Sequence, residues 1–275
     1  MESSSLRGAR NFRNHLANAS RLSQAIMTSG SNAAAMAVCF ANKMCKSANF
    51  MLKEEAEKVT TIGNYFKGNT DLTSFDEFQY FTGVTSIPTS YNGNFYKCSN
   101  MTSIILPDSL TTLGGYSFLY CSSLTELVIP AGVISVSGVD TFGFCSKLKT
   151  LTFLADSVYF TNGNVYHNYF LRSCSRLTTI NGNLDFSKNT YSGKYYFNGC
   201  SALETLNGKW TNIGINLYMD TCKALSHDSL VMLIDGLVDN TEGEETLTLA
   251  LHANAKARLS DDEIAVATAK NWTIS

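Results

Sequence analysis

The chain has 275 residues, of which 44% are apolar and 16% are charged. This length allows one large or two small domains, and it contains no run of about 18 apolar residues that would predict a transmembrane helix. The net charge of −2 is unevenly distributed: residues 1–67 carry nine Lys/Arg and four Asp/Glu, whereas the remainder carries twelve and nineteen. This asymmetry indicates that the front of the chain has a different partner from the rest.

Residues 1–61 form the first predicted unit. Apolar residues at helical intervals predict one helix over about 6–28 and a second from Asn32 to Lys58, with Gly30 at the break. Two interpretations stay open for this helical segment: a cap on the open end of the following array, or a docking segment that orders against another subunit. A basic stripe would suit docking on an acidic partner, although such stripes are commonly solvated faces. The stripe consists of Arg7, Arg10 and Arg13.

Residues 62–225 form the second predicted unit, in which one phrase recurs. A clear copy runs from Phe118 to Pro130 and contains Cys121, Leu124 and Leu127. The residues at the cysteine position are Asn69, Cys98, Cys121, Cys145, Cys174, Cys200 and Cys222. Their successive spacings are 29, 23, 24, 29, 26 and 22 residues. A period of about 20 to 29 with fixed apolar positions is the signature of a leucine-rich-repeat solenoid.

Each copy is too short to bury its own apolar side, so neighbouring copies are expected to stack. Leu127 and Ile129 have strand period, which places both inward and Val128 outward. A second apolar pair in each copy, such as Leu110 and Leu113, predicts another short strand on a different side. The cysteines are expected to stack as small buried thiols without disulfides. Asn69, the one amide in their column, is expected to form hydrogen bonds to the backbone of its turn. We therefore predict a β-rich α/β solenoid.

Three connections in the array are longer than the others, at 89–95, 156–169 and 181–196, and they combine tyrosines with Asn, Gly, Ser and Thr. The tyrosines concerned are Tyr91, Tyr159, Tyr166, Tyr169, Tyr191, Tyr195 and Tyr196. This composition is typical of recognition loops, because Tyr provides contact area at low entropic cost. Two interpretations stay open: a binding face, or longer turns whose rings pack on the coil.

Residues 226–275 form the third predicted unit, with helix–strand–helix–strand order. Ser226 suits a helix N-cap, and residues 246–251 alternate as a strand. A capping box at 260–263 begins the second helix, and residues 272–274 return as a last strand. Such a unit would cover the apolar end of the coil.

The repeated phrase resembles the BspA-like leucine-rich repeats of bacterial surface proteins and of some phages. Their consensus, Phe-x-x-Cys-Ser-x-Leu-x-x-Ile-x-Ile-Pro with a Val/Leu-x-x-Ile-Gly phrase between copies, is similar to residues 66–225. The Asp-Asp-Glu-Ile-Ala phrase at 261–265 and the Trp-Thr-Ile end also resemble this family. The resemblance implies binding and adhesion without chemistry, and it does not specify a ligand.

We find no motif for catalysis. No nucleophile elbow, phosphate-binding loop or zinc-protease motif occurs, and the histidines are far apart in sequence. They are His15, His167, His227 and His252. Because the array carries a net negative charge, we do not expect it to bind nucleic acid. We therefore predict a noncatalytic protein without cofactor or metal; a carbohydrate-active enzyme is a distant alternative.

Two settings compete for this recognition protein. In the first it is a phage virion component (a fibre, tail or capsid-decorating protein) that docks through its N-terminal helices and presents the tyrosines to a host surface glycan or protein. In the second it is a bacterial cell-surface adhesin. The apolar stretch 33–41 begins too late for a signal peptide, which favours the virion. Other virion or surface proteins are the expected partners, and self-association through the coil ends stays open.

Overall fold

The computed structural model describes residues 56–90, 94–137, 139–161, 169–189 and 195–275. The predicted N-terminal helices lie outside these residues, except for 56–58 at the end of the second helix. So do Arg7, Arg10, Arg13, Tyr91, Tyr166 and Tyr191. Every described strand pair is parallel. Nine pairs join one repeat to another. One pair joins the last repeat to the C-terminal unit, and one joins the two strands of that unit. The predicted β-rich repeat solenoid is confirmed.

Each coil contributes one short strand to each of two sides. The strands after the cysteine positions are β1 (Ser74–Phe75), β3 (Ser103–Ile104), β5 (Glu126–Ile129), β7 (Thr150–Phe153), β9 (Thr179–Asn181) and β11 (Thr205–Asn207). The strands on the second side, each of which follows a strand of the first side in the chain, are β2 (Ser86–Ile87), β4 (Thr112–Leu113), β6 (Ser135–Ser137), β8 (Val158–Thr161), β10 (Leu184–Asp185) and β12 (Trp210–Thr211). The first set pairs as β1–β3 and β5–β7–β9–β11, and the second forms a six-stranded sheet in the order β2–β4–β6–β8–β10–β12.

The register of the first side determines which residues face the core. Leu127, Leu151 and Ile180 are aligned on neighbouring strands and are all buried. Along β5, Leu127 is 1% exposed whereas Val128 is 48% exposed. The alternation expected of a half-buried strand is therefore confirmed at this copy.

A column of phenylalanine rings fills the coil beside the turns. Ring centroids are 5.4 Å apart from Phe66 to Phe95, 5.3 Å from Phe95 to Phe118, and 6.0 Å from Phe118 to Phe142. Their interplanar angles are 28°, 11° and 13°, respectively. Stacked rings at about 4.5–7 Å attract one another beyond their burial. The phenylalanine column therefore stabilises the stacking of successive coils.

The cysteine column lies next to these rings, and its thiols connect successive coils. The Sγ of Cys98 donates a hydrogen bond to the carbonyl of Phe66 in the preceding coil, at 2.9 Å. Equivalent bonds are made by Cys121, Cys145, Cys174, Cys200 and Cys222. At the first position of the column, Asn69 Oδ1 accepts from the backbone N–H groups of Asp71 and Leu72, at 2.9 and 3.0 Å. All six cysteines are free thiols.

The repeat core begins before the predicted boundary at residue 62. Val59 and Ile62 are buried and belong to the same core as the later coils. Gly83 of the next coil packs so closely on this segment that a Cβ would lie 2.5 Å from the carbonyl oxygen of Val59. Val59 and Ile62 therefore form the inward apolar pair of a further coil.

The C-terminal unit continues the coil. Strand β13 (Leu217–Met219) of the last repeat pairs with β14 (Leu247–Leu251), which pairs with β15 (Trp272–Ile274). Helices α1 (His227–Gly236), α2 (Ala253–Lys256) and α3 (Asp261–Ala269) connect these strands. Their buried residues belong to the core of the repeats, so no separate core divides this unit from the array.

Specific polar contacts hold the helices of this unit in place. Ser226 caps α1 by accepting from the N–H of Ser229, and Ser260 and Glu263 form both halves of a capping box on α3. Lys270 Nζ donates to the carbonyls of Ile234 and Leu237, at 3.1 and 3.0 Å. A cation at a helix C-terminus satisfies carbonyls that lack intrahelical partners. These bonds join the end of α3 to the end of α1.

Candidate functional site

A row of aromatic and cationic side chains runs along the turn edge of the coil, on five consecutive repeats. We call it the aromatic ladder, and it consists of Tyr96, Tyr120, Phe144, Arg172, Tyr169 and Tyr195. The ring centroids of Tyr96 and Tyr120 are 6.0 Å apart, and those of Tyr120 and Phe144 are 4.6 Å apart. All of its members are at least partly exposed to solvent.

Arg172 joins the two halves of the aromatic ladder. Its guanidinium carbon lies 4.7 Å from the ring centroid of Phe144 and 4.0 Å from that of Tyr169. The rings of Tyr169 and Tyr195 then stack at 4.8 Å. A guanidinium plane stacks on aromatic faces at these distances. The ladder is therefore one continuous row of contacts, stacked from Tyr120 to Tyr195, with the ring of Tyr96 at 82° to that of Tyr120.

The central rings of the ladder occupy positions of unusual backbone conformation in the turns. The residue before each of the first four cysteines of the column is left-handed, with φ of +61° at Lys97, +65° at Tyr120, +58° at Phe144 and +61° at Ser173. The glycines at the same position in other coils are Gly68 and Gly199, with φ of +69° and +82°. Left-handed backbone costs a residue with a Cβ about 1–2 kcal/mol, a cost that glycine avoids. Large side chains at such positions are uncommon and cluster at functional sites.

A small apolar base supports the ladder. Tyr116, Leu119 and Val139 are buried together in a cluster separate from the main core, and the rings of Tyr96, Tyr120 and Phe144 pack against it. One side of these rings is thus held by the protein, while their outer parts face solvent. The base orders the rings before any partner binds, which lowers the entropic cost of binding.

Two cations and one carboxylate belong to the ladder's surroundings. Lys97 Nζ lies 5.2 Å from the ring centroid of Tyr96 and 5.8 Å from that of Tyr120. Arg172 Nη2 lies 3.3 Å from Oδ2 of Asp140, whose side chain is 6% exposed. An open depression of about 330 Å³ adjoins the first rings. It is lined by Gly68, Thr70, Lys97, Ser99, Tyr120 and Ser122.

Comparison with known families assigns the repeats. The family model for the BspA-type leucine-rich-repeat region matches residues 36–169 and 89–226, with six copies. The chain belongs to the BspA-type leucine-rich-repeat family. The match begins ahead of the predicted start of the array, in agreement with the buried pair Val59 and Ile62.

Two further comparisons accompany this assignment. A solved leucine-rich-repeat protein of T. pallidum is similar to this chain at 19% identity and a TM-score of 0.38, covering 56% of this chain and 71% of that chain. No curated protein matches the chain. BspA-type repeats are typical of protein-binding surface proteins, which agrees with the predicted recognition protein at this coarser level. The phage virion setting has no support in the comparisons.

The structure separates the predicted tyrosines of this BspA-type protein. Tyr169 and Tyr195 lie together in the aromatic ladder. Tyr159 lies on β8 of the six-stranded sheet. Tyr196 is 1% exposed, and its hydroxyl bonds Asn189 Oδ1 at 3.2 Å. An exposed binding role for Tyr196 is therefore wrong, because the ring occupies the core next to Phe197.

Sequence reasoning missed the larger part of the ladder. Its missed members are Tyr96, Tyr120, Phe144 and Arg172, and each stands one or two residues before a cysteine, in a regular turn. Alignment of the copies on the cysteine would have shown this recurrence. Its meaning depends on the left-handed turn, which directs these side chains outward.

The cysteines have the properties of structural residues. Burial raises the pKa of Cys98, Cys145 and Cys200 to about 12. Burial likewise raises the pKa of the other three well above the ordinary value of 9.0. These are Cys121, Cys174 and Cys222. Because the thiolate is the reactive form, these thiols are poor nucleophiles and poor metal ligands near neutral pH.

The described part of the chain also bears on metal binding and membrane insertion. No group of three or more His, Cys, Asp or Glu residues there is arranged to hold a metal ion. None of the helices in those ranges is long and apolar enough to span a bilayer.

A second depression, of about 660 Å³, lies between β12, α1 and the start of α3. Within it, His227 Nε2 is 2.8 Å from Glu263 Oε1. Glu263 Oε2 also accepts from the N–H of Ser260, at 2.8 Å. The N–H and hydroxyl of Ser260, followed by the charge of His227, lower the pKa of Glu263. His227 and Glu263 thus connect the N-terminus of α1 to that of α3, so their role is structural.

Proposed function

We propose that this protein is a noncatalytic recognition protein that binds a partner at a bacterial cell surface through the aromatic ladder. The observation that carries the proposal is the continuous row of ring contacts across five coils, with Tyr120 and Phe144 at left-handed positions. The turn itself does not require these rings, because Gly68 and Gly199 adopt the same backbone elsewhere in the column.

Partner contact explains why rings occupy these positions. Interfaces draw most of their binding energy from a few Tyr, Trp and Arg residues in ordered surroundings. The ladder combines four tyrosines and one phenylalanine with one arginine, and its first three rings rest on the apolar base of Tyr116, Leu119 and Val139. A flat row of preordered rings suits a partner that lies along the coil axis. The BspA-type repeats support the cell-surface setting, and no observation on the described residues favours the virion setting.

The test compares the labelled full chain with two variants for binding to panels of immobilised extracellular and bacterial surface proteins. The first variant combines Tyr120→Gly and Phe144→Gly, which removes two rings at positions where glycine suits the backbone. The matched control is Tyr159→Ser, since Tyr159 lies on a sheet whose aligned neighbour is Ser135.

We expect the double variant to lose about 10- to 100-fold in affinity for the ligand that the wild-type chain binds, as loss of two interface hot spots implies. The control should bind as the wild type does. Circular dichroism should show that all three proteins fold. Undiminished binding by the double variant would contradict the proposal, as would a wild-type chain that binds neither panel.

A further inference from the structure

Positive charge is concentrated along the turn edge that holds the ladder, although residues 68–275 are net acidic. The turn segments 94–101, 117–125, 140–149 and 169–178 contain five Lys/Arg and one Asp. The one acidic residue, Asp140, is buried and paired with Arg172. The outward charge of these four segments is therefore positive; the nearest exposed carboxylates are Glu126, directly after the second segment, and Glu204 on the fifth coil.

Three of these cations lie beside the centre of the ladder. We call them the basic flank, and they are Lys147, Lys149 and Arg176, all exposed. Lys147 and Arg176 each follow a cysteine by two residues, on adjacent coils. The carbonyl of Lys149 accepts from the N–H of Thr178 on the next coil, at 2.9 Å. The flank thus occupies the same two coils as Phe144 and Arg172.

This arrangement is unfavourable for the isolated coil. Like charges on adjacent strands repel one another, and adjacent strands lie about 4.8 Å apart. The ion pairs formed among the described residues involve Arg172 and His227 and none of the basic flank. Lys147 and Arg176 occupy the same position on adjacent coils, and the exposed carboxylates Glu126 and Glu204 stand only on the two coils that border this pair. An anionic ligand would supply the missing charge.

The geometry of the rings selects among anionic ligands. The faces of Tyr120 and Phe144 cover each other at an interplanar angle of 14°, and Arg172 covers the other face of Phe144. Sugar rings stack on aromatic faces, and these faces are occupied. The ladder presents ring edges, which carry partial positive charge and attract carboxylate and carbonyl oxygens. The same edges provide apolar surface for aliphatic side chains.

We infer that the aromatic ladder and the basic flank bind an acidic segment of a partner protein, in which carboxylates are mixed with apolar residues. This inference rests on the proposed function of the ladder. Five coils about 4.8 Å apart span about 20 Å, which an extended peptide covers with about six residues. Carboxylates contact the flank, and apolar side chains contact the ring edges.

The experiment measures fluorescence anisotropy of the full chain with a labelled peptide of about twelve residues, twice the length that spans the ladder, in which Glu and Asp are mixed with Leu and Phe. A second peptide replaces Glu and Asp by Gln and Asn, and hyaluronan fragments serve as an anionic polysaccharide. The test variant combines Lys147→Gln and Arg176→Gln. The control combines Lys209→Gln and Thr211→Glu, which changes the net charge equally at exposed positions on another side of the coil.

We expect the acidic peptide to bind, with an affinity that falls as salt rises. The test variant should lose about fivefold in affinity, as expected from removing two exposed ion pairs, and the control should not. Equal binding of the Gln/Asn peptide, tighter binding of hyaluronan, no binding of the acidic peptide, or an unchanged test variant would each overturn the inference. If the ladder variant loses surface binding while the flank variant keeps it, the proposed function stands and this inference fails.

Discussion

Arg172 donates from Nη2 to Oδ2 of Asp140 across a coil boundary, at 3.3 Å. Asp140 is 4% exposed and has a φ of +47°, so its carboxylate is held in place by the turn. The same guanidinium lies between the rings of Phe144 and Tyr169. One side chain thus neutralises a buried charge and makes the ladder continuous.

Arg172→Lys tests this double role. An ammonium is a compact charge without the planar fork, so it does not stack between two rings. We expect the free energy of unfolding in urea to fall by about 1–2 kcal/mol, the range of partly desolvated cation–π contacts. The control Arg176→Lys, at an exposed position outside the ladder, should have no effect. Equal stabilities of the two variants would show that the guanidinium plane contributes nothing.

Leu127→Ala and Val128→Ala test the inward and outward assignment on β5. Leu127 is 1% exposed and Val128 is 48% exposed on the same strand. The first change should lower the free energy of unfolding by about 2–5 kcal/mol through cavity formation. The second should change it by about 0.5 kcal/mol or less, as expected for a surface position. A large effect of Val128→Ala, with little effect of Leu127→Ala, would reverse the assignment. Chemical denaturation measures both.

The thiols of the cysteine column should resist alkylation in the folded protein. Burial raises the pKa of Cys98 to about 12, so only a minute thiolate fraction exists at pH 8. We expect iodoacetamide to leave the column unmodified under native conditions and to modify all of it after denaturation without reductant. Mass spectrometry after proteolysis assigns each site. Rapid native modification of Cys121 or a disulfide within the column would contradict the structure.

The Glu263 carboxylate should make stability depend on pH. Hydrogen bonds from Ser260, followed by His227, lower its pKa below the ordinary value of 4.5. Because the folded pKa lies below the unfolded one, the stabilisation is present above about pH 4.5 and is lost as pH falls through the lowered value. Glu263→Gln should therefore lower the melting temperature at pH 7 and have a smaller effect at pH 3. A difference that stays constant between these two pH values would exclude this linkage.

The boundary at residue 62 illustrates a limit of sequence reasoning. Val59 and Ile62 are three residues apart, a spacing that suits a helix face as well as the inward pair of a coil. In later copies, a cysteine phrase ahead of the apolar pair identifies the pair as part of a coil. No such phrase was recognised ahead of Val59 and Ile62. Only the burial of both side chains against the next coil assigns them to the solenoid.

The coil, its strands and the cysteine column can be predicted from the amino-acid sequence, because they follow from local period and from the recurrence of the same residues. The tertiary structure decided which aromatic side chains share a surface. Tyr195 and Tyr196 are neighbours in sequence, yet one is 37% exposed and the other 1% exposed. Phe144 and Arg172 are a full repeat apart, yet they lie 4.7 Å apart. Stacking of the coils and left-handed turns create these relationships, and neither is visible in the order of residues along one repeat.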